Sequence, residues 1–262
     1  MKIWYQSCTA LGAQEKLAGY QWALLKHIDR VKRPDTEVHV HGTRFYTPAI
    51  DGHYYLEYFN TGHIMENALK AQDQGYDAFA LGCFLDSGFA EIQEILDIPV
   101  AFSCQAALHV ASLLARKFLV VVPNKGLQAR VIGKAGSFGL RERLVDCRVK
   151  RFEHEKMLKA IDDAGVILKE LDELVEDDSD AEMIVPGENI LNIVLAENNV
   201  KTIKGLPVLD ITGCLIKVAE MLADMKALGI AARRRAGYAP TLARETLLEL
   251  GRAYQEARDE AL

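Results

Sequence analysis

Short apolar runs alternate along this chain with longer stretches in which apolar residues recur every three or four positions. That alternation predicts strands followed by covering helices, and hence parallel sheet buried on both faces. Strands are expected at Lys2–Gln6, Glu37–His41, Ala78–Leu81, Val100–Phe102, Phe118–Val122, Arg148–Phe152, Met183–Val185 and Val208–Leu209. The clearest helical periodicities cover Gly12–Ile28, Gly62–Gln74, Ala106–Ala115, Leu158–Glu173 and Leu215–Leu228. The fold class is therefore α/β. An internal echo adds a second level of order. KIWYQS and KFLVVVPN each open a strand-loop-helix sequence, and DAFALGCF and AEMIVPGEN each end a strand at glycine followed by a residue that can carry chemistry. Two similar lobes are expected, one of residues 1–102 with 207–262 and one of residues 103–206.

Composition narrows the class of protein. A chain of 262 residues, half of them hydrophobic, is long enough to bury a substantial core. A net charge of −6 without a concentrated basic stripe argues against nucleic acid as a partner. Arg233-Arg234-Arg235 is read as a solvated face or subunit contact, and the acidic stretch Glu170–Glu182 as a solvated helix end and loop. The opening MKIWYQS runs straight into a strand, and no segment is long enough to span a bilayer, so a cytoplasmic protein is expected. Five cysteines without a CxxC pair argue for reduced thiols rather than a disulfide framework. The histidines His39, His41, His53, His63 and His109 show no metal-binding spacing.

Candidate chemistry concentrates at Ala78–Gly88, where an apolar run stops at Gly82-Cys83 and is followed by the helix-like Phe89–Leu96. A strand feeding into a helix leaves N–H groups without intrahelical partners, and a thiol there is a candidate thiolate. The alternative is a buried cysteine acting as a small hydrophobe. Ser7 and Thr9, after the first strand, can donate hydroxyl bonds to a ligand or cap the following helix. Cys8 between them is a weaker nucleophile candidate. Pro123-Asn124-Lys125 follows the equivalent later strand, where Lys125 is either a counter-charge for a carboxylate or a surface lysine. His53-Tyr54-Tyr55 is read either as a loop able to cap a cleft or as a solvated or interface loop.

Three segments, GYDAFALGCFLDSGFAEIQEILDIPV, AALHVASLLARKFLVVV and LPVLDITGCLIKVAEML, together resemble the aspartate/glutamate racemase superfamily, in its hydantoin-racemase-like branch. The resemblance covers nearly the whole chain. It implies two pseudo-symmetric α/β lobes with the active site in the cleft between them, no cofactor, and a homo-oligomer. Cys83 matches the family's first cysteine. The second cysteine is replaced by Glu188, or by Gly187 if the register differs by one residue. Relatives bind the substrate's carboxylate or imide with the turn equivalent to Gln6-Ser7-Cys8-Thr9, while Gln105 stands where they carry an acid. Amides of Gly82-Cys83-Phe84 and Gly187-Glu188-Asn189 would stabilise an enolate-like charge. The implied reaction is racemisation beside a carbonyl of a small carboxylate or cyclic amide, with Cys83 as acid/base and Glu188 as partner. Glu188 also fits a first-turn helix carboxylate. A one-thiol decarboxylase, lyase or C–N hydrolase, or a ligand sensor without turnover, are the alternatives.

Overall fold

The computed structural model describes residues 1–175, 180–230 and 243–260; the run at 233–235 and part of the acidic stretch lie outside them. The strands are β1 (Lys2–Ser7), β2 (Glu37–His41), β3 (Ala78–Gly82), β4 (Val100–Phe102), β5 (Phe118–Val122), β6 (Leu144–Val149), β7 (Ile184–Pro186), β8 (Thr202–Ile203) and β9 (Leu206–Pro207). The helices are α1 (Ala18–Val31), α2 (Tyr54–Asp73), α3 (Phe89–Ile95), α4 (Ser103–Leu114), α5 (Lys125–Ser137), α6 (His154–Ala160), α7 (Gly165–Asp172), α8 (Asn189–Glu197), α9 (Ile211–Ala227) and α10 (Arg244–Glu260).

Two parallel sheets organise the molecule. The first has the order β2-β1-β3-β4 and the second β6-β5-β7, with Val208 adding a parallel bridge to Ile184 on the outer side of β7. Strand alternation sorts the core into two apolar clusters. Ile3 and Tyr5 of β1 and Leu119 and Val121 of β5 join one cluster with α1, α8 and α9. Trp4, Phe79, Leu81, Val120 and Val122 face the opposite way into a second cluster with α2 and α4. Each cluster thus spans both sheets, which is the packing that period-two strands covered on both faces require. α4 and α9, which follow the outer edges of the two sheets, pack against each other, and α9 also covers β3 and β4. Among the described residues, no helix is long and apolar enough to cross a membrane.

Four expected elements change. β6 starts at Leu144 rather than Arg148, because it pairs with β5 from Phe118 onward and a bulge between Phe118 and Leu119 absorbs Val145. The single helix expected over Leu158–Glu173 is two helices, α6 and α7. The Asn198 side chain occupies the break: its amide donates to the carbonyls of Ala160 and Ile161, and its oxygen accepts the Ala164 N–H. α2 begins eight residues before Gly62, in a turn whose Tyr54, Tyr55 and Tyr58 are exposed and so carry no apolar stripe. α1 begins at Ala18 rather than Gly12, which adopts a left-handed φ of 79° in the preceding loop.

Candidate active site

The carboxyl ends of both sheets open on one cavity, the usual place for a ligand in parallel α/β structures. β1 delivers Ser7, Cys8 and Thr9; β3 delivers Gly82 and Cys83, followed by Phe84 and Leu85. From the second sheet, β7 leads into Gly187, Glu188, Asn189 and Ile190 at the start of α8. Tyr20 of α1, Tyr46, Asp51 and Leu127 of α5 complete the wall.

The two strand ends are built alike. A Cβ on Gly82 would fall 2.1 Å from the Tyr5 hydroxyl oxygen, and one on Gly187 would fall 2.7 Å from Val122 Cγ1 and 2.8 Å from the Val121 carbonyl oxygen. Neither position has room for a side chain. Gly187 and Gly82 thus occupy similar positions at the two strand ends, and each is followed by a residue that lines the cavity, Glu188 and Cys83. Glu188 is the N-cap residue of α8, yet its side chain makes no capping bond. The carboxyl is therefore not spent on the helix end.

Electrostatics around the cavity are those of acids held away from water. Burial, reinforced by Asp51, pushes the Glu188 carboxyl up to about 8. Asp51 is pushed up to about 6 by burial and by Glu57, with Arg130 opposing. A hydrogen bond with Cys83, burial and the nearby Asp51 hold the Cys8 thiol well above the ordinary thiol range. Among the described residues, no lysine, arginine or histidine lines the cavity. Among the described residues, no three His, Cys, Asp or Glu side chains are arranged to hold a metal ion.

Supporting bonds hold the loop that carries Cys83. The Asp86 N–H donates to the Cys83 carbonyl at 2.9 Å, and the Asp86 carboxylate accepts the Cys104 and Gln105 N–H groups at 2.8 and 3.0 Å. Asp86, left-handed at φ 46°, thus ties the loop to the first turn of α4. Burial pushes its carboxyl up to about 7, with Lys134 and the two amides opposing. Ser87 Oγ donates to Glu57 Oε1 at 2.9 Å, Glu57 pairs with Arg130 of α5, and Arg130 stacks 4.0 Å over the Tyr54 ring. Ser103 Oγ donates to Asn189 Oδ1 at 3.2 Å, joining α4 to α8.

Of the residues singled out in the sequence, Ser7, Cys8, Thr9, Gly82, Cys83, Phe84, Gly187, Glu188 and Asn189 converge on the cavity. Gln6, Asn124 and Lys125 do not line it. Gln6 points to the opposite face of β1, where its oxygen accepts from Trp4 Nε1 and Asn67 Nδ2, both at 3.0 Å. Asn124 caps α5 through the Leu127 N–H at 2.8 Å, and Lys125 is exposed. His53 precedes the first turn of α2, and Tyr54 and Tyr55 lie in it rather than in a loop. Asp51, Tyr20 and Tyr46 were not foreseen. Asp51 sits in a turn, Pro48–Gly52, capped by Thr47, and the Thr-Pro pair was the only local signal that a fixed turn, rather than loose loop, stands there.

The comparisons with known proteins agree with this architecture. The model of the Asp/Glu/Hydantoin racemase family matches residues 23–219. A hydantoin racemase of Pseudomonas sp. (strain NS671) is 25% identical over 199 residues, 74% of this chain and 76% of that protein. An allantoin racemase of Klebsiella pneumoniae superposes with a TM-score of 0.71 at 21% identity, covering 93% of this chain and 96% of the other. An allantoin racemase of Pseudomonas fluorescens gives a TM-score of 0.72 at 19% identity, covering 91% and 100%. The structural likenesses establish the two-lobed fold, and the match over most of the sequence establishes the lineage. The chain belongs to the Asp/Glu/Hydantoin racemase family.

Proposed function

We propose that this protein is a cofactor-independent racemase that inverts the carbon beside a carbonyl in a neutral cyclic amide of the hydantoin type. Cys83 takes or returns the proton on one face, and Glu188 does so on the other. The observation that carries this reading is the Glu188 carboxyl, pushed up to about 8 at the strand end that mirrors Cys83. Two-base inversion needs an acid and a base of similar proton affinity on opposite sides of a planar carbanion. An ordinary carboxylate near pKa ~4.3 is a weak base, whereas one moved to about 8 is a far stronger one. At neutral pH Glu188 holds a proton and serves as the acid, with Cys83 as the base on the opposite face. After one turnover the roles are exchanged.

The charge of the cavity selects the substrate class. Among the described residues its lining carries carboxyls and thiols and no cation, so an amino-acid or dicarboxylate anion would be desolvated without a counter-charge. A neutral ring meets no such cost. Phe84, Leu85, Leu127, Ile190 and the rings of Tyr20 and Tyr46 offer it apolar walls. Charge developing on the ring carbonyl would meet the first N–H groups of α8. The Gly187 N–H is excluded from that role, because it donates to the Val121 carbonyl at 2.7 Å.

Proton NMR in heavy water tests the reading, with wild type, Cys83→Ala and Glu188→Gln incubated with substituted hydantoins, amino acids and malonates. Deuterium should enter the α-carbon of hydantoins without mass loss, in the wild type alone. New decarboxylated, eliminated or ring-opened products would overturn racemisation in favour of one-thiol chemistry. Tight binding without any exchange would mark a ligand sensor.

A further inference from the structure

Two thiols meet at this cavity. Ser7 and Gly82 are register partners on the neighbouring parallel strands β1 and β3. The next residue on each strand is a cysteine, so Cys8 and Cys83 leave the sheet side by side, on strands about 4.8 Å apart. Both line the cavity and both are free. The backbone on each side is pinned. The Cys8 carbonyl accepts from Asn60 Nδ2 at 3.1 Å and Thr43 Oγ1 at 3.2 Å, while the Cys83 carbonyl is held by the Asp86 N–H.

This placement rules out one role and supports another. Cys8 shares a sheet with Cys83, whereas Glu188 comes from the other sheet, so Cys8 cannot replace the family's second cysteine on the far side of a substrate. Its place beside Cys83 lets it act through that thiol. The other hydroxyls nearby are engaged: Ser7 and Thr9 bond to each other at 2.8 Å, and Ser87 donates to Glu57 while standing 4.0 Å from Cys83 Sγ. We propose that Cys8 is a positioning residue for Cys83, its S–H donating a hydrogen bond to the Cys83 sulfur and keeping the negative charge of the pair there. The assignment rests on Cys83 being the cavity's base. Burial, Cys83 and Asp51 all act to keep the proton on Cys8, and a donor to a thiolate favours the charged form.

The test reads the thiols directly. Iodoacetamide alkylation of Cys83 is followed by peptide mass across the thiol titration range in wild type, Cys8→Ala and Cys8→Ser. Cys8→Val serves as a second donor-free variant should the alanine protein be unstable. In the donor-free variants the midpoint for Cys83 should rise by about one pH unit, and in Cys8→Ser it should stay near wild type, because a hydroxyl still donates. An unchanged midpoint in folded donor-free protein, or faster alkylation of Cys8 than of Cys83 in wild type, overturns the proposal. Diamide checks the geometry independently. It takes two electrons and two protons from the thiol pair, becoming a hydrazine, and should link Cys8 to Cys83 in wild type; failure to link them counts against the pairing. Solvent deuterium exchange on the same proteins separates the two readings. A shifted midpoint without exchange in wild type would retain the role of Cys8 and remove racemisation.

Discussion

At the scale of single residues, the cavity rests on the contrast between two glycines that cannot carry a side chain and the two groups that follow them. Gly187→Ala would press a Cβ against the Val121 carbonyl and Val122. It should cost roughly 1–3 kcal/mol, seen as a lower urea midpoint, and should reduce exchange by moving Glu188. Glu188→Gln should reduce α-proton exchange by about 10²-fold or more, the usual contribution of a positioned acid or base. The same substitution should change the pH dependence of stability. The native carboxyl is raised from 4.5 to about 8, so across that window the folded protein keeps a proton that the unfolded chain releases. Wild-type stability attributable to this group is therefore fully present below about 4.5 and is lost as pH rises to about 8, by at most about 1.4 kcal/mol per pH unit. Thermal melts of the glutamine variant should lack that slope. Parallel pH profiles for the two proteins would contradict the buried, protonated carboxyl.

At the scale of elements, local sequence and tertiary partners divide the work unevenly. β3 and β5 are legible because each is an unbroken apolar run buried on both faces. α6 and α7 read as one helix because their periodicity continues through Ile161–Ala164, and the group that separates them, Asn198, lies more than thirty residues further on. Asn198→Ala should leave the Ala164 N–H and the Ala160 and Ile161 carbonyls without their partner. The expected cost is about 1–3 kcal/mol for the unsatisfied groups, measurable as a lower guanidinium midpoint with the exchange rate per folded molecule unchanged. The start of α2 escaped the pattern for the opposite reason. Its first turns expose aromatic rings, and Arg130 of a distant helix packs on one of them. Hydrophobic periodicity reports burial, and those turns are not buried.

At the scale of the whole molecule, two sheets aim their carboxyl ends at a cavity that, among the described residues, carries acids and no cation, within a chain of net charge −6. A neutral substrate should feel neither steering nor screening, so kcat/KM for hydantoins should vary by less than about twofold between low and physiological ionic strength. A steep salt dependence measured by steady-state kinetics would indicate a charged substrate. The sequence alone determined the alternation of strands and helices, the Gly-Cys and Gly-Glu endings, and the likeness to the racemase lineage, because each of these is written in neighbouring residues. It misplaced Gln6, Asn124 and Lys125, since a strand's two faces and a helix's cap both use polar residues and only packing shows which group each one meets. Asp51, Tyr20 and Tyr46 were invisible for the same reason. The burial of Glu188 and the placement of Cys8 beside Cys83 were decided by tertiary structure alone, because burial and strand register are properties of the folded chain that no local pattern carries.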